Sequence, residues 1–95
     1  MNLTILEDLT AIIKKRNQSQ HDSYTSKLLS SHVDRIAKKI GEEAGEVIIA
    51  AKNNDRNELA NESADLIFHL MLLLEKQGMS LQDVCHILSE RRSKA

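Results

Sequence analysis

Two short acidic segments of the chain place several carboxylates at helical spacing. The first segment, KKIGEEAGE, contains Glu42, Glu43 and Glu46, and the second, ESAD, contains Glu62 and Asp65. Residues three and four apart are neighbours on a helix, so each segment forms an acidic pair if it is helical. Carboxylate oxygens with no cysteine and few histidines nearby favour Mg²⁺ or Mn²⁺ over zinc. The spacing therefore predicts a site for one of these cations.

The two acidic segments are predicted to face each other across a helical hairpin. An apolar stripe from Val33 to Ala51 predicts a helix over residues 33–52, and Asn53 to Asp55 form a short turn. The next helix is expected to end at about Gln77, and so short a connection makes the two helices antiparallel neighbours. Glu46 and Glu62 each lie about eight residues from the turn, hence at equal height at ~1.5 Å per residue.

Acidic pairs of this kind are also common on solvated helix surfaces, where they bind nothing. Two carboxylates 4 Å apart repel by about 4 kcal/mol at an effective dielectric near 20, which a bound cation would relieve. Gly41 and Gly45 lie inside the first helix, where each costs roughly 1 kcal/mol relative to alanine. They predict that something approaches the backbone there. The two acidic pairs at one height, beside these glycines, favour the metal site.

Basic and imidazole side chains lie near the acidic segments. Arg35, Lys38 and Lys39 precede Glu42 by one to two turns and are candidates for binding phosphate. The alternative is that both lysines pair with the glutamates four residues on. His69 lies one turn after the second acidic segment. It is predicted to contact substrate or a metal-binding carboxylate, with a buried histidine bonded to the backbone as the alternative.

The remaining segments predict further helices around this hairpin. Helices are expected over about Thr4 to Lys15, with Thr4 and Glu7 as a capping box, over Lys27 to Ser30, and over Ser80 to Arg91. The segment Asn17 to Ser26 is predicted to be a polar loop. In the last helix Leu81, Val84, Cys85 and Leu88 are expected to form a packing face.

The apolar end of the second hairpin helix, LIFHLMLLL, predicts contacts on several sides. A chain of 95 residues forms one small domain, expected to span residues 1–95. A core of that size gives modest stability, so additional cover is expected from a second subunit, in a homodimer or a higher homo-oligomer.

Composition excludes several classes of protein. The chain has no proline and only two aromatic residues, which favours an all-α fold of about four helices. Its net charge of −1 calls for neither nucleic acid nor an anionic membrane. The single cysteine allows no internal disulfide and suits the cytoplasm, and we expect neither a signal peptide nor a membrane span.

The sequence resembles the phosphoribosyl-ATP pyrophosphohydrolase family. The resemblance rests on KKIGEEAGEVIIAAKN, on ESADLIFHLMLLL and on SYTSKLL at residues 23–29, and it covers nearly the whole chain. The EExxE and ExxD motifs alone are similar to the wider all-α, MazG-like group of nucleoside triphosphate pyrophosphohydrolases. Two departures are Phe68, where the family usually has tyrosine, and His32, where glycine is common.

The resemblance implies hydrolysis of 1-(5-phosphoribosyl)-ATP to 1-(5-phosphoribosyl)-AMP and diphosphate, the second step of histidine biosynthesis. It implies that Mg²⁺ is held by the four acidic residues Glu43, Glu46, Glu62 and Asp65. Glu42 would orient or deprotonate the attacking water. Two alternatives stay open: a housekeeping pyrophosphohydrolase acting on (d)NTPs, and a non-enzymatic helical dimerisation module.

Overall fold

The computed structural model describes residues 1–18 and 22–95, and within them the chain is all-α. The five α-helices are α1 (Thr4–Gln18), α2 (Tyr24–Ser30), α3 (Val33–Lys52), α4 (Arg56–Lys76) and α5 (Leu81–Glu90), followed by a 3-10 turn (Arg92–Lys94). This confirms the all-α prediction. None of the described helices is long and apolar enough to cross a membrane.

Helices α3 and α4 form the predicted antiparallel hairpin and are the main packing pair of the fold. Asp55 caps α4, its side chain accepting a hydrogen bond from the Glu58 N–H at 3.0 Å. Asn54 turns the chain with a φ of 55°, a left-handed conformation that asparagine tolerates. Helix α4 ends close to the expected Gln77, and Gly78 just beyond it adopts a φ of 74°, a left-handed conformation that stops a helix.

The predicted loop between Asn17 and Ser26 is too long at both ends. Helix α1 continues to Gln18, and α2 already begins at Tyr24. Ser23 caps α2 by accepting a hydrogen bond from the Ser26 N–H, so a serine typical of loops starts a helix here. The middle of the predicted loop, residues 19–21 with His21, lies outside the described residues.

The predicted capping box at the start of α1 is also wrong. The Asn2 side chain accepts a hydrogen bond from the Thr4 N–H at 2.9 Å, so Asn2 is the capping side chain and Thr4 is the first helical residue. Asparagine and threonine both cap helices well, and spacing alone did not distinguish them.

The core lies where α1 and α2 cover the C-terminal half of α4. Its buried members come from α1 to α4: Ile13, Leu28, Leu29, Ile36, Met71 and Leu72. Part of the predicted cover of α4 therefore comes from the chain itself. Ile67 and Leu70, on another side of α4, remain 44% and 36% exposed.

Helix α5 differs most from its predicted packing. It begins with a capping box, in which Ser80 and Asp83 satisfy each other's backbone N–H groups. However, no residue of α5 is buried, Cys85 is exposed rather than packed in a core, and Leu88 is 60% exposed. Among the residues of α5, only Leu81 packs against the core cluster. Amphipathic spacing correctly indicates an apolar face but does not specify what covers it.

The two glycines of α3 lie in open space. Apart from the neighbouring backbone of α3 itself, a Cβ atom built on Gly41 or Gly45 would meet no atom within 4 Å among the residues that the structure describes. The predicted close approach to the α3 backbone is therefore not made by any other described part of this chain.

Candidate active site

Two carboxylates meet across the hairpin at the height that the sequence predicted. The Glu62 side chain on α4 lies within hydrogen-bonding range of Glu46 on α3. This contact, followed by partial burial and the negative charges of Glu46, Asp65 and Glu58, raises the pKa of Glu62 from 4.5 to about 7. One oxygen, Glu62 Oε2, is shielded from solvent and has no hydrogen-bond partner among the described residues.

One turn away from this pair, Glu43 and His69 form a buried contact between the same two helices. Glu43 Oε1 lies 2.6 Å from His69 Nδ1, and the two residues are 9% and 5% exposed. The same ring nitrogen lies 2.9 Å from the backbone carbonyl oxygen of Asp65. The other ring nitrogen, Nε2, lies 2.6 Å from the Tyr24 hydroxyl oxygen on α2.

The partners of His69 determine where its ring proton lies. The Asp65 carbonyl can only accept a hydrogen bond, so Nδ1 carries a proton. That proton is aligned with the carbonyl, and Glu43 Oε1 touches the ring edge without an aligned hydrogen bond in the described part of the structure. In the neutral ring Nε2 is then unprotonated, and Tyr24 donates its hydroxyl proton to it.

An open recess of about 390 Å³ adjoins the acidic pair at the hairpin turn. Three acidic side chains besides Glu62 line it, together with uncharged residues: Glu46, Asp55 and Glu58, with Ile49, Ala50 and Asn53. It is large enough for part of a nucleotide, and its acidic wall would repel phosphate unless a cation lay between them.

The other predicted site residues lie on α3, the helix that also carries Glu43 and Glu46. Glu42, Arg35 and Lys38 are exposed on α3, and Lys39 is half-buried. Across residues 1–18 and 22–95, no ion pair joins either lysine to a glutamate four residues on, so the alternative of ordinary helix pairing is not observed. These basic groups are available to a ligand.

The predicted metal ligands are only partly assembled. Glu46 meets Glu62, Glu43 meets His69, and the charge of Asp65 acts on Glu62. Nowhere in the described chain do three acidic, histidine or cysteine side chains already form a metal-binding cluster. The donor set nevertheless fits a hard cation, because it is made of carboxylate oxygens, two of which are shielded and lack a hydrogen bond.

Sequence reasoning assigned no role to Tyr24. The segment SYTSKLL contributed to the family resemblance, but the contact with His69 joins residues 45 positions apart. The hydroxyl beside Nε2 belongs to Tyr24 on α2. Phe68, the neighbour of His69, has no hydroxyl and packs edge-on against the ring at a centroid distance of 5.4 Å.

Comparison with known proteins agrees with this architecture. A sequence model of the phosphoribosyl-ATP pyrophosphohydrolase family matches residues 6–92. A phosphoribosyl-ATP pyrophosphatase of Pyrobaculum arsenaticum is 45% identical over 97% of this chain and 99% of its own length. One from Leptospira biflexa is 52% identical over 93% and 94%. The histidine biosynthesis bifunctional protein HisIE of Bacillus subtilis is 46% identical over 95% of this chain, which spans 44% of that longer protein. The chain belongs to the phosphoribosyl-ATP pyrophosphohydrolase family.

Proposed function

We propose that this chain hydrolyses 1-(5-phosphoribosyl)-ATP to 1-(5-phosphoribosyl)-AMP and diphosphate. The observation that carries the proposal is the meeting of Glu46 and Glu62 across the hairpin, with a shielded, partnerless oxygen on Glu62. Like charges held together in this way destabilise the free protein, and a cation relieves the repulsion. The names of the relatives supply the substrate.

Glu43, Glu46, Glu62 and Asp65 are the residues that would hold the cation, Mg²⁺ or, as a substitute, Mn²⁺. When bound, it would neutralise phosphate oxygens and make the attacking water more acidic. Glu43 is buried and lies 2.6 Å from His69 Nδ1, so the position of its carboxylate depends on that ring. Glu62 would have to release its contact with Glu46, or share it, when the cation binds.

The remaining predicted residues of α3 act on the substrate and on water. Glu42 orients the water and accepts its proton as the water oxygen attacks phosphorus at the α–β phosphate bridge. The bridging P–O bond breaks, and diphosphate leaves with those electrons. Arg35, Lys38 and Lys39 bind the phosphate oxygens that carry the remaining charge. They are suited to this role because they form no ion pair with the neighbouring glutamates in the described structure.

His69 takes a different role from direct substrate contact. Its ring is 5% exposed, and both of its nitrogens already have partners. We therefore assign His69 to positioning the Glu43 carboxylate. Of the two predicted roles, this is contact with a metal-binding carboxylate and not contact with the substrate.

The protein is proposed to act as a homodimer in the cytoplasm. Four large apolar side chains are 36–60% exposed on the hairpin, two on each helix: Ile48, Ile49, Ile67 and Leu70. A second copy burying the same surfaces would complete the cover that the apolar half of α4 requires, as a symmetric interface does. The single, unpaired cysteine supports the cytoplasmic assignment.

The test is diphosphate release by the purified protein given phosphoribosyl-ATP, with Mg²⁺ or with EDTA, and with a panel of (d)NTPs alongside. We expect Mg²⁺-dependent release from phosphoribosyl-ATP alone. Release from the panel only would assign the chain to housekeeping nucleotide hydrolysis. No release from any substrate would favour a non-enzymatic dimerisation module.

Variants test the residues that carry the chemistry. Glu43→Gln and Asp65→Asn keep the shape of the side chain and remove its charge, so each should abolish hydrolysis while the helical content and the folded state persist. Glu7→Gln removes an equal charge from an exposed position on α1 and serves as the matched control. Normal Mg²⁺-dependent turnover by either site variant would refute the metal site.

A further inference from the structure

We propose that Tyr24 is a positioning residue whose hydroxyl fixes the ring of His69 and thereby the carboxylate of Glu43. This inference rests on the proposed function, because it assigns a purpose to holding Glu43 still. It adds a third helix, α2, to a site otherwise built from α3 and α4, and it assigns a role to the SYTSKLL segment.

The three side chains form a continuous chain of short contacts. The Tyr24 hydroxyl lies 2.6 Å from His69 Nε2, and His69 Nδ1 lies 2.6 Å from Glu43 Oε1. The Asp65 carbonyl, 2.9 Å from Nδ1, anchors the same edge of the ring to the backbone of α4. A ring held at both nitrogens cannot rotate about its χ2 without losing a hydrogen bond.

Edge-on aromatic contacts confine the ring further. The Tyr24 ring packs against the imidazole at a centroid distance of 5.7 Å and an angle of 87°. Phe68 packs against it at 5.4 Å and 79°. The imidazole is therefore oriented from α2 as well as from its own helix, and the distance between His69 and Glu43 depends on the docking of α2.

The exposure of the three residues distinguishes positioning from direct catalysis. Tyr24 is 49% exposed, His69 is 5% exposed and Glu43 is 9% exposed, so the chain runs from the surface into the helix interface. The Tyr24 hydroxyl is already engaged by Nε2 and is directed at the ring. Partners that orient a metal-binding group typically contribute about 10- to 100-fold in affinity or activity.

The first experiment tests the contact without metal or substrate. In EDTA, the ¹⁵N resonances of the histidine rings report which nitrogen carries the proton, and His69→Gln identifies the signals of His69. We expect Nδ1 to be protonated and Nε2 to accept a hydrogen bond. Tyr24→Phe should move the Nε2 resonance, whereas Thr10→Val, which deletes a hydroxyl bonded within α1, should leave it unchanged. A ring protonated at Nε2 alone, or no movement in Tyr24→Phe, would overturn the proposal.

The second experiment tests the role by a double-mutant cycle. Tyr24→Phe should raise the Mg²⁺ concentration for half-maximal activity, or lower kcat, by about 10- to 100-fold, while the protein stays folded with a cooperative thermal transition. If Tyr24 acts through His69, this effect should disappear when His69 is already glutamine. A full effect of Tyr24→Phe in that background would mean that Tyr24 contacts substrate directly and would overturn positioning.

The proposed function and the positioning role of Tyr24 can be refuted separately. Normal activity of Glu43→Gln would refute the proposed metal site and the positioning role together, while the ¹⁵N experiment would still report the contact. Loss of activity in Glu43→Gln with wild-type kinetics in Tyr24→Phe would leave the proposed function intact and refute the role of Tyr24 alone.

Discussion

The repulsion between Glu46 and Glu62 predicts how the stability of the free protein depends on pH. The contact with Glu46 raises the pKa of Glu62 to about 7 in the folded chain, against 4.5 without these neighbours. The folded state therefore binds this proton more tightly than the unfolded state. Protonation of Glu62 therefore contributes to the stability of the metal-free folded protein. This contribution is fully present below pH 4.5, decreases as the pH rises, and is lost above about pH 7.

The size of the effect follows from the same pKa. At pH 7 Glu62 is about half protonated when folded and almost fully ionised when unfolded, so folding in EDTA takes up about half a proton per chain. Binding of a divalent cation to the pair should release that same half proton, because the ligand must be ionised. Above about pH 8 the release should vanish, since the proton has already left.

Two assays measure these quantities. Thermal melts in EDTA between pH 4.5 and 8.5 give the slope of stability, and titration calorimetry with Mg²⁺ in buffers of different ionisation enthalpy gives the number of protons released. Glu62→Gln should flatten the slope over the window from about pH 4.5 to 7, with Glu7→Gln as the control for removal of one charge. Equal slopes for the wild type and Glu62→Gln, or no proton release at pH 7, would show that the two carboxylates do not interact as described.

Four further outcomes follow from the fold. Leu72→Ala, at a site with 0% exposure, should lower the free energy of unfolding by about 2–5 kcal/mol in urea titrations. Ser80→Ala should cost roughly 0.5–2 kcal/mol in the same assay through loss of the α5 cap, and an unchanged midpoint would contradict the capping box. Gly45→Ala should stabilise the free chain by about 1 kcal/mol because its Cβ meets nothing, and a concurrent loss of activity would show that a ligand or partner approaches α3 there. Ile67→Glu should shift the protein towards monomer in sedimentation velocity, and an unaltered dimer would place the interface elsewhere.

The helical hairpin and its acidic residues were predictable from local rules. The apolar stripe predicted the bounds of α3 at the observed residues 33–52, and the turn at Asn53 to Asp55 predicted where α4 starts. Two helices joined by so short a turn must run antiparallel, so counting residues from the turn was enough to match Glu46 with Glu62. The loop bounds were wrong because serine and asparagine favour both loops and helix caps.

The sequence alone determined the all-α class, the central hairpin, the equal height of its carboxylates and the family, because these depend on spacing within helices and on motifs. Only the tertiary structure showed that α2 brings Tyr24 to His69, that His69 is buried beside Glu43, and that α5 leaves Cys85 exposed. Contacts between residues 45 positions apart depend on how helices dock. Helical periodicity reports which face of each helix is apolar, but it does not specify which surface that face will meet.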